Sequence, residues 1–377
     1  MDKIAKITDA GDISGKKVLL RADFNVPVKD GKILDTYRID KTISTIDFLR
    51  QKKAKIIIIS HIESEEKTLL PVWDYLKGFF NIKFVKDYFS KETDVLISEM
   101  KEGDVVLFEN LRSHSGEKDN DLDFGKKLSV YGDLYVNDAF AVSHRKHCSV
   151  VLLPKLLPAF FGPLFVEEFE NLSRAFNPKH PFLFILGGAK FSTKIPLVRK
   201  FLPIADSIYI TGALANDIFK SKNLEVGKSL VGENTESVSL VLEEGKDRIK
   251  YPFDCLVLDK ESKTNERSID DIENSDYVVD IGPRSLDELF ELIKKSEFIL
   301  WNGPTGNYEI GFDQNTQNLA KFLANSGKDV IVGGGDTVSA IKALNILDKF
   351  TFVSTAGGAM LDFLANESLP AIETLKS

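Results

Sequence analysis

Chemistry-bearing side chains recur at the ends of short apolar runs, and their types differ between the two halves of the chain. In the first half, Arg21, Asp23 and Asn25 follow one run, Ser60 and His61 a second, and Glu109, Asn110 and Arg112 a third. Asn137 and Asp138 follow a fourth, with His144 and Arg145 close behind, while Arg38 opens an amphipathic stretch. A guanidinium is always charged and presents paired donors that match a carboxylate or a phosphate. Four arginines and a histidine placed in this way point to a pocket for a phosphorylated acid. In the second half the same positions carry glycines and small polar residues. They are Gly187-Gly188-Ala189-Lys190, Thr211-Gly212, Asn302-Gly303-Pro304, Gly333-Gly334-Gly335-Asp336-Thr337 and Thr355-Ala356-Gly357-Gly358. Glycine lets backbone approach a ligand closely, and successive amides form concavities that hold anions, which fits a nucleotide di- or triphosphate. Lys190 and Lys194 would share one face of a helical first turn if a helix begins there, completing a phosphate site at a strand end. Asp336 can hold Mg²⁺ through oxygen, cap a helix N-terminus, or do both.

The elements that must position these residues are legible as apolar runs. In the first half they are Lys17–Ala22, Lys55–Ser60, Ile82–Val85, Val105–Phe108 and Leu134–Val136. In the second half they are Leu183–Leu186, Ser207–Ile210, Cys255–Leu258, Tyr277–Ile281, Phe298–Trp301, Val330–Val332 and Thr351–Ser354. Amphipathic stretches separate them; Ile39, Ile43, Ile46 and Leu49, for instance, fall at helical spacing. This alternation predicts an α/β fold of parallel sheets with helices on both faces, whose ligands bind at the carboxyl ends of the strands. A length of 377 residues exceeds one ordinary core, so two doubly wound, Rossmann-like domains are expected. Between them Phe165, Phe169, Leu172 and Phe176 mark one face of a connecting helix, which Asn177-Pro178 ends. The expected division is an N-terminal domain over 1–164, the connecting helix over 165–177, a C-terminal domain over 178–355 and a last segment over 356–377.

Composition bounds the partners. A hydrophobic content of 43% with 28% charged residues is that of a soluble globular protein. The net charge of −8 argues against general binding of nucleic acid or anionic membrane, while leaving room for a local cationic pocket. Two cysteines, Cys148 and Cys255, indicate no disulfide framework. The first residues lack the apolar core of a signal peptide and no apolar run spans a bilayer, so a cytoplasmic location is expected. Short named motifs fail. Gly227-Lys228-Ser229 resembles the end of a P-loop, but Lys222 stands where its first glycine belongs. His144 and His147 lack further ligands for a metal and read as one anion contact and one structural histidine.

Taken in order, six segments resemble the phosphoglycerate kinase family along nearly the whole chain. They are VLLRADFNVP at Val18–Pro27, FENLR at Phe108–Arg112, YVNDAFAVSHR at Tyr135–Arg145, ILGGAK at Ile185–Lys190, WNGPTG at Trp301–Gly306 and GGGDT at Gly333–Thr337. The resemblance implies a monomeric, hinge-bending glycolytic enzyme. It would move a phosphoryl group in line between 1,3-bisphosphoglycerate and Mg-ADP, giving 3-phosphoglycerate and Mg-ATP. By the same resemblance Asp23, Asn25, Arg38, His61, Arg112 and Arg145 bind the glycerate, with Arg38 nearest the transferring group. Lys194, Gly334, Gly335, Asp336 and Thr337 lie at the nucleotide phosphates, Glu309 at the ribose, and Asn302 and Pro304 line the pocket. The amides of Gly187, Gly188, Gly357 and Gly358 lie beside the phosphates, Asp336 supports Mg²⁺, and the last segment returns to the first domain. Arg38 and Lys190 would stabilise the transferring phosphoryl oxygens.

The departures from the family are local. After His61 the family usually continues Leu-Gly-Arg-Pro, whereas this chain has Ile62-Glu63-Ser64-Glu65. A substrate arginine is replaced by Ser64 and two acids have arrived, which weakens a phosphate site. Thr211–Leu214 replaces a glycine triplet, Tyr277-Val278-Val279 replaces Met-Gly-Leu before Asp280, and Ala356 replaces one glycine of the last cluster. The change at Ser64 keeps an alternative open: a non-catalytic relative that binds a nucleotide or metabolite.

Overall fold

The computed structural model describes residues 4–189, 191, 194–232 and 235–376. The chain divides into two compact units, one of residues 1–170 with 366–377 and one of residues 171–365.

The first unit is built on six strands, all paired parallel. From edge to edge they run Ile82–Val85, Val105–Phe108, Lys55–Ile59, Lys17–Arg21, Leu134–Asn137 and Ala159–Phe161. Alternate side chains of one strand serve opposite faces. Val18, Leu20, Ile56 and Ile58 enter one apolar core, and Leu19, Ile57 and Ile59 enter the other. Burial on both faces explains why these strands read as unbroken β-branched runs. The helix Tyr37–Gln51 lays Ile39, Ile46 and Leu49 on the first core, with Ile43 partly buried against it. The strand order reverses between Lys17–Arg21 and Leu134–Asn137, and a crevice opens at the carboxyl ends of such a reversal.

The second unit carries another six-stranded parallel sheet, ordered Ile249–Lys250, Ser207–Ile210, Phe182–Leu186, Phe298–Asn302, Asp329–Gly333 and Phe352–Val353. Its reversal falls between Phe182–Leu186 and Phe298–Asn302, so Gly187 and Gly303 flank the switch point. Both units are thus doubly wound parallel-sheet α/β domains.

Two expectations give way to tertiary detail. Cys255–Leu258 and Tyr277–Ile281 do not extend the parallel sheet. They form, with Thr264–Ser268, a separate antiparallel sheet, because residues 259–263 are too few for the crossover a parallel pair requires. The helix after Gly188 spans Ile195–Phe201, and Lys194 precedes it. Pro196 accounts for this start, since proline suits a first turn and breaks a helix interior; Lys190 lies outside the described residues. The helix between the halves spans Pro163–Ser173 and tightens into a 3₁₀ turn at Arg174–Phe176. Near the C-terminus, 356–365 falls within the second unit and 366–377 within the first.

Candidate active site

The first unit collects its charged residues at the carboxyl ends of four neighbouring strands and the start of one helix. Arg38, second residue of the helix Tyr37–Gln51, reaches back with Nη1 to Asp23 Oδ2 at 3.1 Å and donates to the backbone oxygen of Asn25 at 3.1 Å. Asp23 in turn accepts from the Asn25 amide at 3.2 Å. Asn25 Oδ1 accepts from the Glu63 amide at 3.0 Å, tying this group to the loop after the neighbouring strand. One strand further, the Asn110 side chain brackets Ile62, accepting from its amide at 3.2 Å and donating to its carbonyl at 2.9 Å. Asn110 Oδ1 also accepts from the Arg112 amide at 3.1 Å, and so fixes where that guanidinium begins. Arg112 Nη1 makes an ion pair with Glu63 Oε1, while its Nε is buried without a partner among the described residues. Arg145 is exposed, on the loop after Leu134–Asn137, and its charge acts on Arg112.

Arg21 has a different place from the one its position suggested. It is fully buried, donating from Nε to Ser149 Oγ at 3.1 Å and contacting His61 Nδ1 through Nη2 at 3.0 Å. Ser149 passes the charge on, its hydroxyl donating to the buried Glu117 carboxylate at 2.6 Å. A guanidinium can only donate, so the His61 Nδ1 must accept and its proton sits on Nε2. Burial first, and then the charges of Arg21, Arg112, Arg38 and His147, hold the His61 pKa well below its usual value. His61 is therefore a neutral donor aimed by Arg21, rather than a cation of the clamp. No sequence pattern distinguished Arg21 from the other three arginines.

The second unit builds its site from backbone. The Gly187 amide donates to Asn302 O at 2.7 Å, and a Cβ at Gly187 would stand 2.4 Å from Pro304 O. Only glycine admits this approach. The stem of Lys194 passes over Gly188, where a Cβ would lie 3.8 Å from Lys194 Cε. Burial lowers the Lys194 pKa, and the carboxylates of Asp362 and Asp336 oppose that shift. Gly334, at φ +95°, turns the chain into the helix Gly335–Lys342. The first amides of a helix have no intrahelical acceptor and favour an anion. The hydroxyl of Thr337 accepts from the Gly303 amide at 2.8 Å, tying this helix start to the turn after Asn302. Gly357, at φ +55°, leads into the helix Gly358–Asn366.

A cavity of about 230 Å³ opens beside this framework. Gly188, Pro304, Glu309 and Asp336 are among its walls, as are Gly212 and the stretch Tyr277–Ile281. Asn302 is not; it is buried, with its amide 3.6 Å from Met360 Sδ. Two polar lining residues to which the sequence assigned no role stand out. Tyr308 donates its hydroxyl to Asp336 Oδ1 at 3.0 Å, and buried Asp280 has its carboxyl pushed up to about 7 by desolvation. No cluster of three acidic, histidine or cysteine side chains that could cage a metal occurs among the described residues. A lone carboxylate fits Mg²⁺ that arrives on a nucleotide, since that ion is commonly held by one or two carboxylates plus substrate phosphates.

Similarity to known proteins shows the family of the chain. The family model described as phosphoglycerate kinase matches residues 7–367. The phosphoglycerate kinase of Dictyoglomus turgidum is 39% identical over 382 residues, covering 97% of this chain and 96% of the relative. That of Chelativorans sp. is 36% identical over 391 residues, covering 98% of each. Among solved structures, phosphoglycerate kinase from Coxiella burnetii superposes with a TM-score of 0.87 at 33% identity, covering 99% of both chains. The enzyme from Pyrococcus horikoshii gives 0.88 at 29% identity, over 99% of this chain and 98% of the other. With a family match along almost its full length, relatives above 30% identity and the same double sheet, the chain belongs to the phosphoglycerate kinase family.

Proposed function

We propose that the chain catalyses reversible phosphoryl transfer between 1,3-bisphosphoglycerate and Mg-ADP, giving 3-phosphoglycerate and Mg-ATP. The observation that carries this reading is the pair of complementary half-sites, each at the switch point of its own sheet. One is rich in guanidinium, and the other is made of glycine backbone with a half-buried lysine. Phosphoryl transfer needs alignment and charge neutralisation more than acid–base chemistry, and an acyl phosphate already carries a good leaving group. The inventory suits that demand, since the neutral His61 and the arginines around it offer donors rather than a base.

In this reading residues 1–164 hold the glycerate through Asp23, Asn25, Arg38, His61, Arg112 and Arg145, and residues 178–355 hold the nucleotide. Lys194 and the amides at Gly334–Thr337 take the phosphates, the amides at Gly187, Gly188, Gly357 and Gly358 lie beside them, and Glu309 takes the ribose. Asp336, steadied by Tyr308, supports the Mg²⁺ that comes with the nucleotide, whose charge offsets that of the phosphates. Asn302 acts through its carbonyl, which accepts from the Gly187 amide at 2.7 Å, beside Pro304, which lines the cavity. Arg38 and Lys190 stabilise the transferring oxygens, each contributing roughly 3–4 kcal/mol by analogy with oxyanion donors. Substrates held by separate domains require a closing step before transfer. We place the protein in the cytoplasm as a monomer serving glycolysis.

A coupled assay with 3-phosphoglycerate and Mg-ATP tests the reading, and absence of turnover at millimolar substrate refutes it. Lys190→Ala should lower turnover more than nucleotide affinity; equal losses contradict its role.

A further inference from the structure

The segment after His61, one of those that depart from the family pattern, is also the one in contact with the acid half-site. Its backbone is pinned on two sides: the Asn110 side chain brackets Ile62 at 3.2 and 2.9 Å, and Asn25 Oδ1 holds the Glu63 amide at 3.0 Å. With Ile62 and the Glu63 amide both held, the Glu63 side chain is delivered to Arg112, and its Oε1 pairs with Nη1. Glu63 is itself exposed, its side chain 59% accessible, whereas that of Arg112 is only 11% accessible. The solvent-facing partner is therefore the carboxylate, and the confined one is the cation. An ion pair so placed exchanges readily, because the exposed partner returns to water at little cost.

We propose that Glu63 is a built-in competitor for the phosphorylated acid: its carboxylate occupies the Arg112 guanidinium, and an incoming anion must displace it. This rests on the reading of the half-site as the seat of that acid. The carboxylate stands in for one oxygen pair of the ligand and adds one negative charge beside Ser64, the position at which the family usually carries an arginine. Glu63 thus sets how much acid is needed to fill the site without touching the transfer itself. Glu65 is on the same segment, exposed and likewise acidic, so it serves as a control for diffuse charge.

Glu63→Gln keeps the size of the side chain and removes its charge. It exchanges one rim ion pair and removes one unit of repulsion toward the ligand, together worth roughly a tenfold gain in affinity. The expected result is a KM for 3-phosphoglycerate lowered about tenfold, with kcat and the KM for Mg-ATP within twofold of wild type. Glu65→Gln should change the same KM by less than about twofold at physiological salt, where exposed charges are screened. An unchanged KM in Glu63→Gln, an equal effect in Glu65→Gln, or a fall in kcat without a change in KM overturns the proposal. Calorimetric titration with 3-phosphoglycerate reads the same comparison without turnover. Tighter binding by Glu63→Gln in a protein that proves inactive upholds the competitor and refutes the kinase reading. No binding by either form overturns the competitor.

Discussion

Replacing Gly187 by alanine probes the switch point of the second sheet with one methyl group. The added Cβ would stand 2.4 Å from Pro304 O and 2.8 Å from Gly303 C, about 1 Å inside ordinary van der Waals contact. Both neighbours are backbone, so no rotamer change relieves the clash. The loop is also anchored: Gly187 N donates to Asn302 O at 2.7 Å, Trp301 Nε1 to Gly303 O at 2.8 Å, and Gly303 N to Thr337 Oγ1 at 2.8 Å. Overpacking of this kind costs about 1–3 kcal/mol. For a unit of this size each kcal/mol lowers Tm by roughly 2–4 °C, so a fall of about 2–12 °C is expected by thermal unfolding. Because Pro304 lines the cavity, the KM for Mg-ATP should rise while that for 3-phosphoglycerate stays within twofold. Gly335→Ala is the control, as nothing lies within 4 Å of its added Cβ, and its Tm should stay within about 1 °C. A Gly187→Ala protein with wild-type Tm and nucleotide KM refutes the close-approach reasoning.

Three further outcomes are expected. Lys194→Met removes a half-buried cation beside Gly188 and should raise the KM for Mg-ATP roughly 10- to 100-fold; a change below threefold places the phosphates elsewhere. His61 is neutral when folded and titrates near pH 6.5 when unfolded, so below that pH the unfolded chain binds the extra proton and stability falls with falling pH. Each such histidine steepens the fall by at most about 1.4 kcal/mol per pH unit. His61→Asn should show a shallower loss in denaturant titrations between pH 7.5 and 5.5, and an identical slope contradicts the assignment. Cys148 and Cys255 are buried, with thiols pushed up to about 12. A thiol reagent at pH 8 should therefore label both only after unfolding, and rapid labelling of the native protein contradicts their burial.

Most of the double sheet is legible in sequence because a strand buried on both faces needs only local information. Lys55–Ile59 is apolar almost throughout since Ile56 and Ile58 face one core and Ile57 and Ile59 the other. The antiparallel sheet was not legible as such. Cys255–Leu258 has the texture of its parallel counterparts, and its partner Thr264–Ser268 carries Thr, Asn, Glu, Arg and Ser, with no apolar face to announce a strand. The helix start at Ile195 depended on Pro196 more than on the spacing of the lysines.

The candidate site divides along the same line. Sequence by itself determined which chemistries are present and at which strand ends, because glycine, arginine and aspartate declare their properties wherever they stand. Strand ends of a parallel sheet also converge on one edge. Only tertiary structure decided which groups meet. Arg21 contacts His61 across 40 positions and Arg112 pairs with Glu63 across 49, through the neighbouring order of three strands. That order turned Arg21 from a ligand-facing cation into the residue that orients His61 and set Glu63 on Arg112. The physical reason is range: propensity and periodicity act over a few residues, whereas burial and charge pairing depend on neighbours that the sheet supplies from far along the chain.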